Sequence, residues 1–221
     1  MPATSIDHAQ DAARQVLVEQ RSRQLLDAAA RLMEREGSEA VSMQALASEA
    51  GVSVGLIYRY FGSKDDVLLA VILQVLDAFA VEVPRAIQAA GDDPIRRLAG
   101  AFAAYCRVID EHRHAAVLTY RESKSLDAAG RERIKRLEVE TSEPLRAAVR
   151  AGVESGALRA SDPDLVAYNL LLLAHAWALK HWYFEKTMTL ENYISAQVAL
   201  ALSAVIAPTQ KRKYADLLSP S

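Results

Sequence analysis

Residues 42–66 read SMQALASEAGVSVGLIYRYFGSKDD and contain two short helical segments separated by a glycine turn. Ser42 is a good N-cap, and apolar residues at helical spacing follow it. Gly51 tolerates the left-handed backbone in which a helix ends, and Ser53 can cap a second short helix over 54–61. This arrangement predicts a helix-turn-helix, whose second helix enters the major groove of DNA by its N-terminal end.

The composition of the chain excludes several classes of protein. Of its 221 residues 51% are apolar, and the net charge of −2 gives no indication of nucleic acid, so the prediction of DNA binding depends on the motif. Cys106 is the only cysteine, which excludes an internal disulfide and a multi-cysteine zinc site. The first residues lack the basic and apolar stretches of a signal peptide, so we expect a cytoplasmic protein. The most apolar stretch, 165–179, is too short to span a bilayer, which predicts a buried helix and no membrane partner.

The N-terminal part of the chain is expected to form a three-helix unit. Helical spacing of apolar residues recurs along almost the whole chain, and no segment alternates like a half-buried strand, which predicts an all-α fold. The first helix is expected at about 12–36, with a polar early part, within 1–20, that frays or extends as a flexible arm. It would cover the helix-turn-helix and complete a DNA-binding domain over residues 1–62.

A long helix is expected to join this unit to a larger helical domain, residues 63–207. Ser63 can cap this helix, whose apolar face continues until Pro84 kinks or ends it. Further helices are predicted at about 94–111, 115–124, 127–154, 163–185 and 190–206. The last residues, 208–221, form a polar tail that is expected either to be disordered and solubilising or to act as an auxiliary DNA arm.

The residues GVSVGLIYRYFGSKDDVL, preceded at helical distance by SMQALASEA, resemble the N-terminal domain of the TetR family of bacterial transcriptional regulators over about 24–69. The resemblance implies an all-helical homodimer that binds operator DNA through its first three helices. It also implies a C-terminal domain with a small-molecule pocket and a dimer interface made largely by the last two helices. It places the following residues at positions that commonly contact DNA: Ser42, Gln44, Ser53, Val54, Gly55, Tyr58, Tyr60 and Lys64.

Two departures from the family pattern affect how bases would be contacted. The family often has Lys at the position of Val54 and Thr at that of Leu56, so we expect fewer polar contacts and more contact with thymine methyl groups. Tyr58 and Tyr60 flank the outward-facing Arg59, which we add to the predicted DNA-binding residues. A phenol is a rigid donor that suits a phosphate, so we predict that at least one tyrosine contacts the DNA backbone, with simple packing as the alternative.

Lys64 lies in the first turn of the long helix, where a cation opposes the helix dipole. A phosphate approaching the same N-terminus would be stabilised both by this lysine and by the free N–H groups. The alternative is a solvated lysine offset by the two aspartates that follow it. We predict the phosphate contact.

The C-terminal half resembles a subgroup of the family. HAAVLTYRESKSL, followed later by an apolar helix ending in KHWYF, is similar to regulators of fatty-acid and steroid catabolism that respond to acyl-coenzyme A thioesters. We therefore predict a mainly apolar pocket for an elongated hydrophobic ligand, lined by Val75, Phe79, Phe102, Tyr105, Tyr120, Arg121 and His175. Arg121 or Lys124 would hold the phosphates, although a solvated helix face explains these charges equally well.

His175 has two interpretations, as a pocket residue or as a hydrogen-bonded core residue in a buried stripe with Leu171, Ala178 and Trp182. Metal binding and catalysis are not indicated. The spacings of the histidines bring no three or four ligands together, and the chain lacks a nucleophile elbow, a P-loop and a dinucleotide fingerprint. We expect no metal, no cofactor and no enzymatic activity.

These features together predict a homodimeric repressor that a small hydrophobic ligand releases from its operator. The dimer would form through the helices at 163–185 and 190–206, the second of which presents a surface of small residues that includes Ala199. The alternative function is that of a DNA-binding architectural or partner-recruiting protein of the same fold without an effector. A filled core in place of the pocket would favour that alternative.

Overall fold

The computed structural model describes residues 3–219, with side chains described from residue 20 onward. This part of the chain is all-helical, as predicted, and its only extended pairing is an isolated bridge between Leu158 and Ile206. The helices are α1 (Ala3–Glu36), α2 (Met43–Glu49), α3 (Val54–Tyr60), α4 (Lys64–Ala89), α5 (Pro94–Glu111), α6 (Arg113–Glu122), α7 (Ala128–Glu154), α8 (Pro163–Leu179), α9 (His181–Phe184), α10 (Leu190–Val205) and α11 (Ala215–Leu218).

The helix-turn-helix forms through the caps that the sequence predicts. The Ser42 side chain accepts a hydrogen bond from the Ala45 N–H at 3.1 Å, and Ser53 does the same for Leu56 at 3.2 Å. Gly51 between the two helices has a φ of +65°, a value that favours glycine. The predicted end of α3 is wrong by one residue, because Phe61 has extended backbone there and is only half-buried.

The N-terminal helix covers the helix-turn-helix. Met33 of α1, Leu46 of α2 and Ile57 of α3 are each at most 1% exposed and belong to one apolar core. The bounds of α1 differ from the prediction, since its helical backbone begins at Ala3. Residues 1–2 and the side chains up to residue 19, which include most of the predicted flexible arm, lie outside the described residues.

The long connecting helix, α4, is shared by both halves of the chain. Its N-cap is Ser63, which accepts a hydrogen bond from the Asp66 N–H at 3.2 Å. Pro84 does not end it, because the helix continues to Ala89. By length and composition alone α4 could cross a membrane, but its apolar face packs against α1, α5 and α7 inside the protein core.

Helix α5 lies at the centre of the C-terminal half. It contacts α4, α7, α8 and α10, and its side chains Phe102, Tyr105, Cys106 and Ile109 are at most 1% exposed. Burial raises the pKa of the Cys106 thiol, so this cysteine behaves as a small apolar core residue. Because helices pack around α5 on several sides, residues on different faces of α5 contact different helices.

The C-terminal helices differ from the prediction in two ways. The helix expected at 163–185 is two helices, α8 and the single turn α9, which meet at Lys180. In α10, Ala199 is 6% exposed and packs within the subunit, whereas the adjacent Leu200 is 66% exposed. The exposed surface of α10 therefore includes Leu200, Ala196 and Ala204 but not Ala199.

The predicted polar tail packs against the N-terminus of α5. Tyr214 is 1% exposed, and its hydroxyl lies 2.9 and 3.0 Å from the two carboxylate oxygens of Asp93. The Lys213 ammonium lies 2.8 Å from the same carboxylate, and Arg96 pairs with Asp216 at 3.0 Å. The expectation of a disordered tail is therefore wrong for the described residues up to 219, because one buried aromatic ring and two ion pairs hold this segment in place.

Candidate nucleic-acid interface and ligand cavity

Most of the predicted DNA-contacting residues are exposed on the helix-turn-helix. Tyr58 is 53% and Tyr60 39% exposed. Val54 and Lys64 are half-buried, and Val54 packs against the core. The exposed members of the set are Ser42, Gln44, Ser53, Gly55, Tyr58, Arg59 and Tyr60. Contact of these side chains with DNA stays a prediction.

Gly55 lies within α3 although the protein fold does not require a glycine there. A Cβ atom at this position would meet nothing within 4 Å, and the backbone φ is not positive. Glycine inside a helix costs about 1 kcal/mol relative to alanine, and it is found where a backbone approaches a ligand closely. The residue therefore leaves open space on the exposed face of α3.

Lys64 has a partner within the protein that the sequence does not indicate. Its ammonium donates a hydrogen bond to the Glu39 carbonyl at 2.8 Å, which ties the first turn of α4 to the connection between α1 and α2. The ammonium carries three N–H donors, so this contact leaves two of them for another acceptor. The predicted phosphate contact therefore stays a prediction.

A cavity of about 590 Å³ lies in the C-terminal half, between α4, α5, α6, α7 and α8. Its wall is mainly apolar at the α4 side, where Ile72, Val75, Leu76 and Phe79 line it. Of the seven predicted pocket residues, the structure places five on the wall: Val75, Phe79, Tyr105, Tyr120 and His175.

Phe102 and Arg121 do not line this cavity. Phe102 is 1% exposed and lies on the side of α5 that faces Leu170 and Val198. Arg121 is exposed. Successive residues of a helix point about 100° apart around its axis, so Arg121 points away from the cavity that the preceding residue, Tyr120, lines. Helical spacing predicts which residues of a helix are buried and which are exposed. It does not predict which other helix each face of that helix packs against.

Most polar groups in the cavity wall are already bonded within the protein. The hydroxyl of Tyr105 donates to the Thr141 carbonyl, and burial raises the pKa of this tyrosine. The hydroxyls of Thr119, Thr141 and Ser142 donate to carbonyls of their own helices at 3.1, 2.7 and 2.9 Å. These groups are therefore not free to orient a guest by donating hydrogen bonds.

His175 lies between two aromatic rings, 6.4 Å from Phe79 and 5.5 Å from Tyr120 between ring centroids. Burial lowers its pKa to about 4 and outweighs the opposite effect of its hydrogen bond to the Leu171 carbonyl. The imidazole is therefore neutral at neutral pH. The sequence predicted that His175 shares a buried stripe with Leu171, Ala178 and Trp182. This prediction is wrong for Trp182, which is 62% exposed because α8 ends before it.

Two sequence comparisons match this chain over both halves. A family model described as bacterial regulatory proteins, tetR family, matches residues 25–71, and one described as tetracyclin repressor-like, C-terminal domain, matches residues 91–205. The HTH-type transcriptional regulator HbdR of Aromatoleum sp. (strain CIB) is 39% identical over 201 residues, which are 91% of this chain and 87% of HbdR. The chain belongs to the TetR family. It is therefore a DNA-binding transcriptional regulator, of a family that is not enzymatic.

Two further proteins resemble this one along most of its length. The HTH-type transcriptional repressor KstR2 of Rhodococcus jostii (strain RHA1) is 29% identical over 191 residues, 85% of this chain and 92% of KstR2. A solved structure of AibR in complex with isovaleryl coenzyme A and operator DNA has a TM-score of 0.69 at 22% identity. It covers 81% of this chain and 97% of AibR, and at that identity it shows a shared fold alone.

The cavity of this TetR regulator opens into a groove of about 300 Å³ between α6, α7 and α8. Tyr120, Lys135 and Tyr168 belong to the walls of both, and the groove continues outward to Ser123 and Arg131. The walls also share the Glu138 carboxyl, whose pKa is raised by burial. The sequence did not single out Lys135 or Arg131, since charges recur along the exposed side of α7.

Polar contacts join the DNA-binding unit of the regulator to α6 and α4. The His114 ring contacts the Glu34 carboxylate, and the Ser38 hydroxyl donates to Glu122 at 2.5 Å. Gln74 of α4 donates to Asp27 of α1 at 3.0 Å. Within the described residues, no group of three or more His, Cys, Asp or Glu side chains is placed to hold a metal ion.

Proposed function

We propose that this TetR regulator is a cytoplasmic homodimeric repressor that a small hydrophobic ligand, of the acyl-coenzyme A thioester class, releases from operator DNA. The observation that carries the proposal is the cavity of about 590 Å³, because α4 forms part of its wall and also follows the helix-turn-helix directly. A ligand in this cavity contacts the helix that positions α3.

Exposed groups on α2 and α3 support DNA binding. Ser42 and Ser53 use their side-chain oxygens as helix caps, and the hydroxyl of each can still donate to a phosphate. The open space at Gly55 allows the DNA backbone or a base edge to approach the helix closely. Tyr58 and Tyr60 add exposed phenols on the same short helix.

The cavity and its groove support an effector with an apolar part and an anionic part. The inner wall is apolar, as is usual for small-molecule sites. The groove leads to Lys135 and Arg131, and cations of this kind suit phosphates. These two residues therefore replace Arg121 and Lys124 as our candidates for binding the phosphates. The complex of AibR with isovaleryl coenzyme A and operator DNA is consistent with both ligands on this fold.

Two helices connect the cavity to the DNA-binding unit. Helix α4 lines the cavity with Val75 and Phe79, and α6 lines it with Ala116, Thr119 and Tyr120. Both helices also contact α1. In a dimer the two α3 helices must lie about 34 to 36 Å apart to enter successive major grooves. A ligand that favours another spacing lowers operator affinity, by no more than its differential affinity for the two forms.

The cavity argues against the alternative function, that of an architectural or partner-recruiting protein without an effector. Such a protein has no need for an unfilled apolar space, and unfilled space in a core is destabilising. The alternative predicts that no ligand changes DNA binding, which makes it one outcome of the experiment below.

The test measures DNA binding with and without thioesters. Duplexes selected by the protein from a random pool are labelled, and fluorescence anisotropy follows their release by short- and long-chain acyl-coenzyme A and by free coenzyme A. We expect release by thioesters and much less by free coenzyme A. In Val75→Phe, which narrows the cavity, release should be lost while DNA binding remains. Val81→Phe on the same helix is the matched control, because Val81 is 53% exposed and does not line the cavity.

A second comparison tests the phosphate-binding residues. Lys135→Ala and Arg131→Ala should weaken thioester binding, whereas Arg121→Ala should not, because Arg121 lies outside the cavity and the groove. If thioesters bind every variant equally, the groove does not bind their phosphates. Absence of any effect across the whole panel would favour the effector-free alternative.

A further inference from the structure

His175 is a polar residue of the cavity wall whose hydrogen-bonding capacity is not filled by the described residues. The Leu171 carbonyl raises the pKa of His175, which favours the single proton of the neutral ring on the nitrogen that faces this carbonyl. None of the hydrogen bonds among the described residues uses the other ring nitrogen. His175 is neither fully buried nor exposed, and the surface that it retains lines the cavity.

The second nitrogen of a neutral imidazole is an acceptor and not a donor. His175 is neutral at neutral pH because burial lowers its pKa to about 4. The neighbouring rings of Phe79 and Tyr120 meet it edge to face, so they hold its plane. His175 therefore presents an oriented acceptor to the part of the cavity that the groove does not share.

Three hydroxyl groups of the wall do not compete for this acceptor, whereas the Tyr120 hydroxyl and the Glu138 carboxyl, which line the groove as well as the cavity, have no hydrogen bond among the described residues. The hydroxyls of Tyr105, Thr119 and Thr141 are donated to backbone carbonyls. A water molecule can satisfy the His175 nitrogen while the cavity has no guest. A ligand that displaces this water without replacing its hydrogen bond leaves a buried acceptor unpaired, which weakens its binding.

We propose that the buried, acyl part of the effector carries a hydroxyl group, which donates a hydrogen bond to the free ring nitrogen of His175. This inference rests on the proposed function, because it specifies the chemical class of ligand for the same cavity. His175 then determines specificity between hydroxylated acyl groups and unsubstituted ones of the same skeleton, while the apolar wall binds the rest of the acyl group.

The experiment compares matched pairs of thioesters by isothermal titration calorimetry with the full-length protein. The probes are octanoyl-coenzyme A with its ω-hydroxy counterpart, and benzoyl-coenzyme A with its para-hydroxy counterpart. In at least one pair the hydroxylated member should bind about tenfold tighter or more, the range expected when a buried acceptor is otherwise left unpaired. Nitrogen NMR of the imidazole should show a shift of the acceptor nitrogen with the hydroxylated member only.

Two variants separate recognition from simple packing. His175→Phe keeps a ring but removes the acceptor, so it should bind both members of a pair equally. His175→Gln retains an acceptor oxygen and should recover part of the preference. If His175→Phe does not fold, the calorimetry of His175→Gln and the NMR of the wild-type protein still test the inference.

The outcomes distinguish this inference from the proposed function. Thioesters that release DNA but bind without any preference for the hydroxyl, or with a preference that survives in His175→Phe, overturn the inference alone. Thioesters that neither bind nor release DNA overturn both.

Discussion

The dimer interface gives the prediction with the largest expected effect. Leu200 is 66% exposed on α10, one of the two helices that we expect to meet their partners in the dimer. An exposed leucine among the small residues Ala196 and Ala204 is well placed to pack against a second copy. We expect Leu200→Glu to convert the protein into monomers and to abolish tight binding to a palindromic operator.

The magnitude follows from the exposure of the side chain. Full burial of a leucine contributes about 1.5 to 3 kcal/mol, so the two-thirds of Leu200 that a partner can cover contribute about 1 to 2 kcal/mol per subunit. Two subunits lose about 2 to 4 kcal/mol, which raises the dimer Kd roughly 30- to 1,000-fold. Burial of two glutamate charges without partners adds to this loss.

Sedimentation velocity over a concentration series measures the shift directly. The matched control is Val81→Glu, which places the same charge at an apolar residue that is 53% exposed on α4. The control should stay dimeric and both variants should keep wild-type helical circular dichroism. A Leu200→Glu protein that remains dimeric at wild-type concentrations would refute an interface through α10.

Three further changes follow from individual contacts. Tyr58→Phe should weaken operator binding in anisotropy titrations with an unchanged Tm, because the hydroxyl belongs to an exposed side chain. Tyr214→Phe should lower the free energy of unfolding in urea by about 2 kcal/mol, since it removes a hydrogen bond to a carboxylate. Partial burial alone would raise the pKa of Asp93, but hydrogen bonds from Lys213, Tyr214 and backbone N–H groups lower it to about 2. The loss of unfolding free energy in Tyr214→Phe should therefore be constant above about pH 4 and shrink towards pH 2 as the carboxylate is protonated. Because the pKa of His175 falls from 6.5 to about 4 on folding, the wild-type protein loses stability as pH falls through that window, and His175→Phe should lose about 3 kcal/mol less there in the same assay.

Local signals in the sequence predict the DNA-binding unit well. A cap involves residues only two or three positions apart, and Ser42, Ser53, Ser63 and Asp93 all cap the helices that follow them. The turn glycine, Gly51, is equally local, because its own backbone conformation favours glycine. The starts of the four helices that these residues cap could therefore be placed without knowledge of the tertiary structure.

Contacts distant in sequence are not predictable in this way. The apolar spacing of α5 identifies both Phe102 and Tyr105 as buried, but only the packing of α8 and α10 decides that Tyr105 faces the cavity and Phe102 does not. Tyr214 lies in a polar run that is typical of a disordered tail, and its partner, Asp93, is 121 residues away. A single buried ring within a polar segment leaves no periodic pattern.

Contacts between α6 and the C-terminal end of α1 give a second connection between the cavity and the DNA-binding unit. Glu34 and His114 are 80 residues apart and Ser38 and Glu122 are 84 apart, and each pair is a single contact that leaves no periodic pattern in the sequence. Yet α6 also places Tyr120 on the cavity wall. A guest that displaces α6 therefore acts on α1 directly as well as through α4, the connection that the sequence suggests. Since α1 covers the core face of the helix-turn-helix, we expect either route to change the position of α3 relative to its counterpart in the proposed dimer.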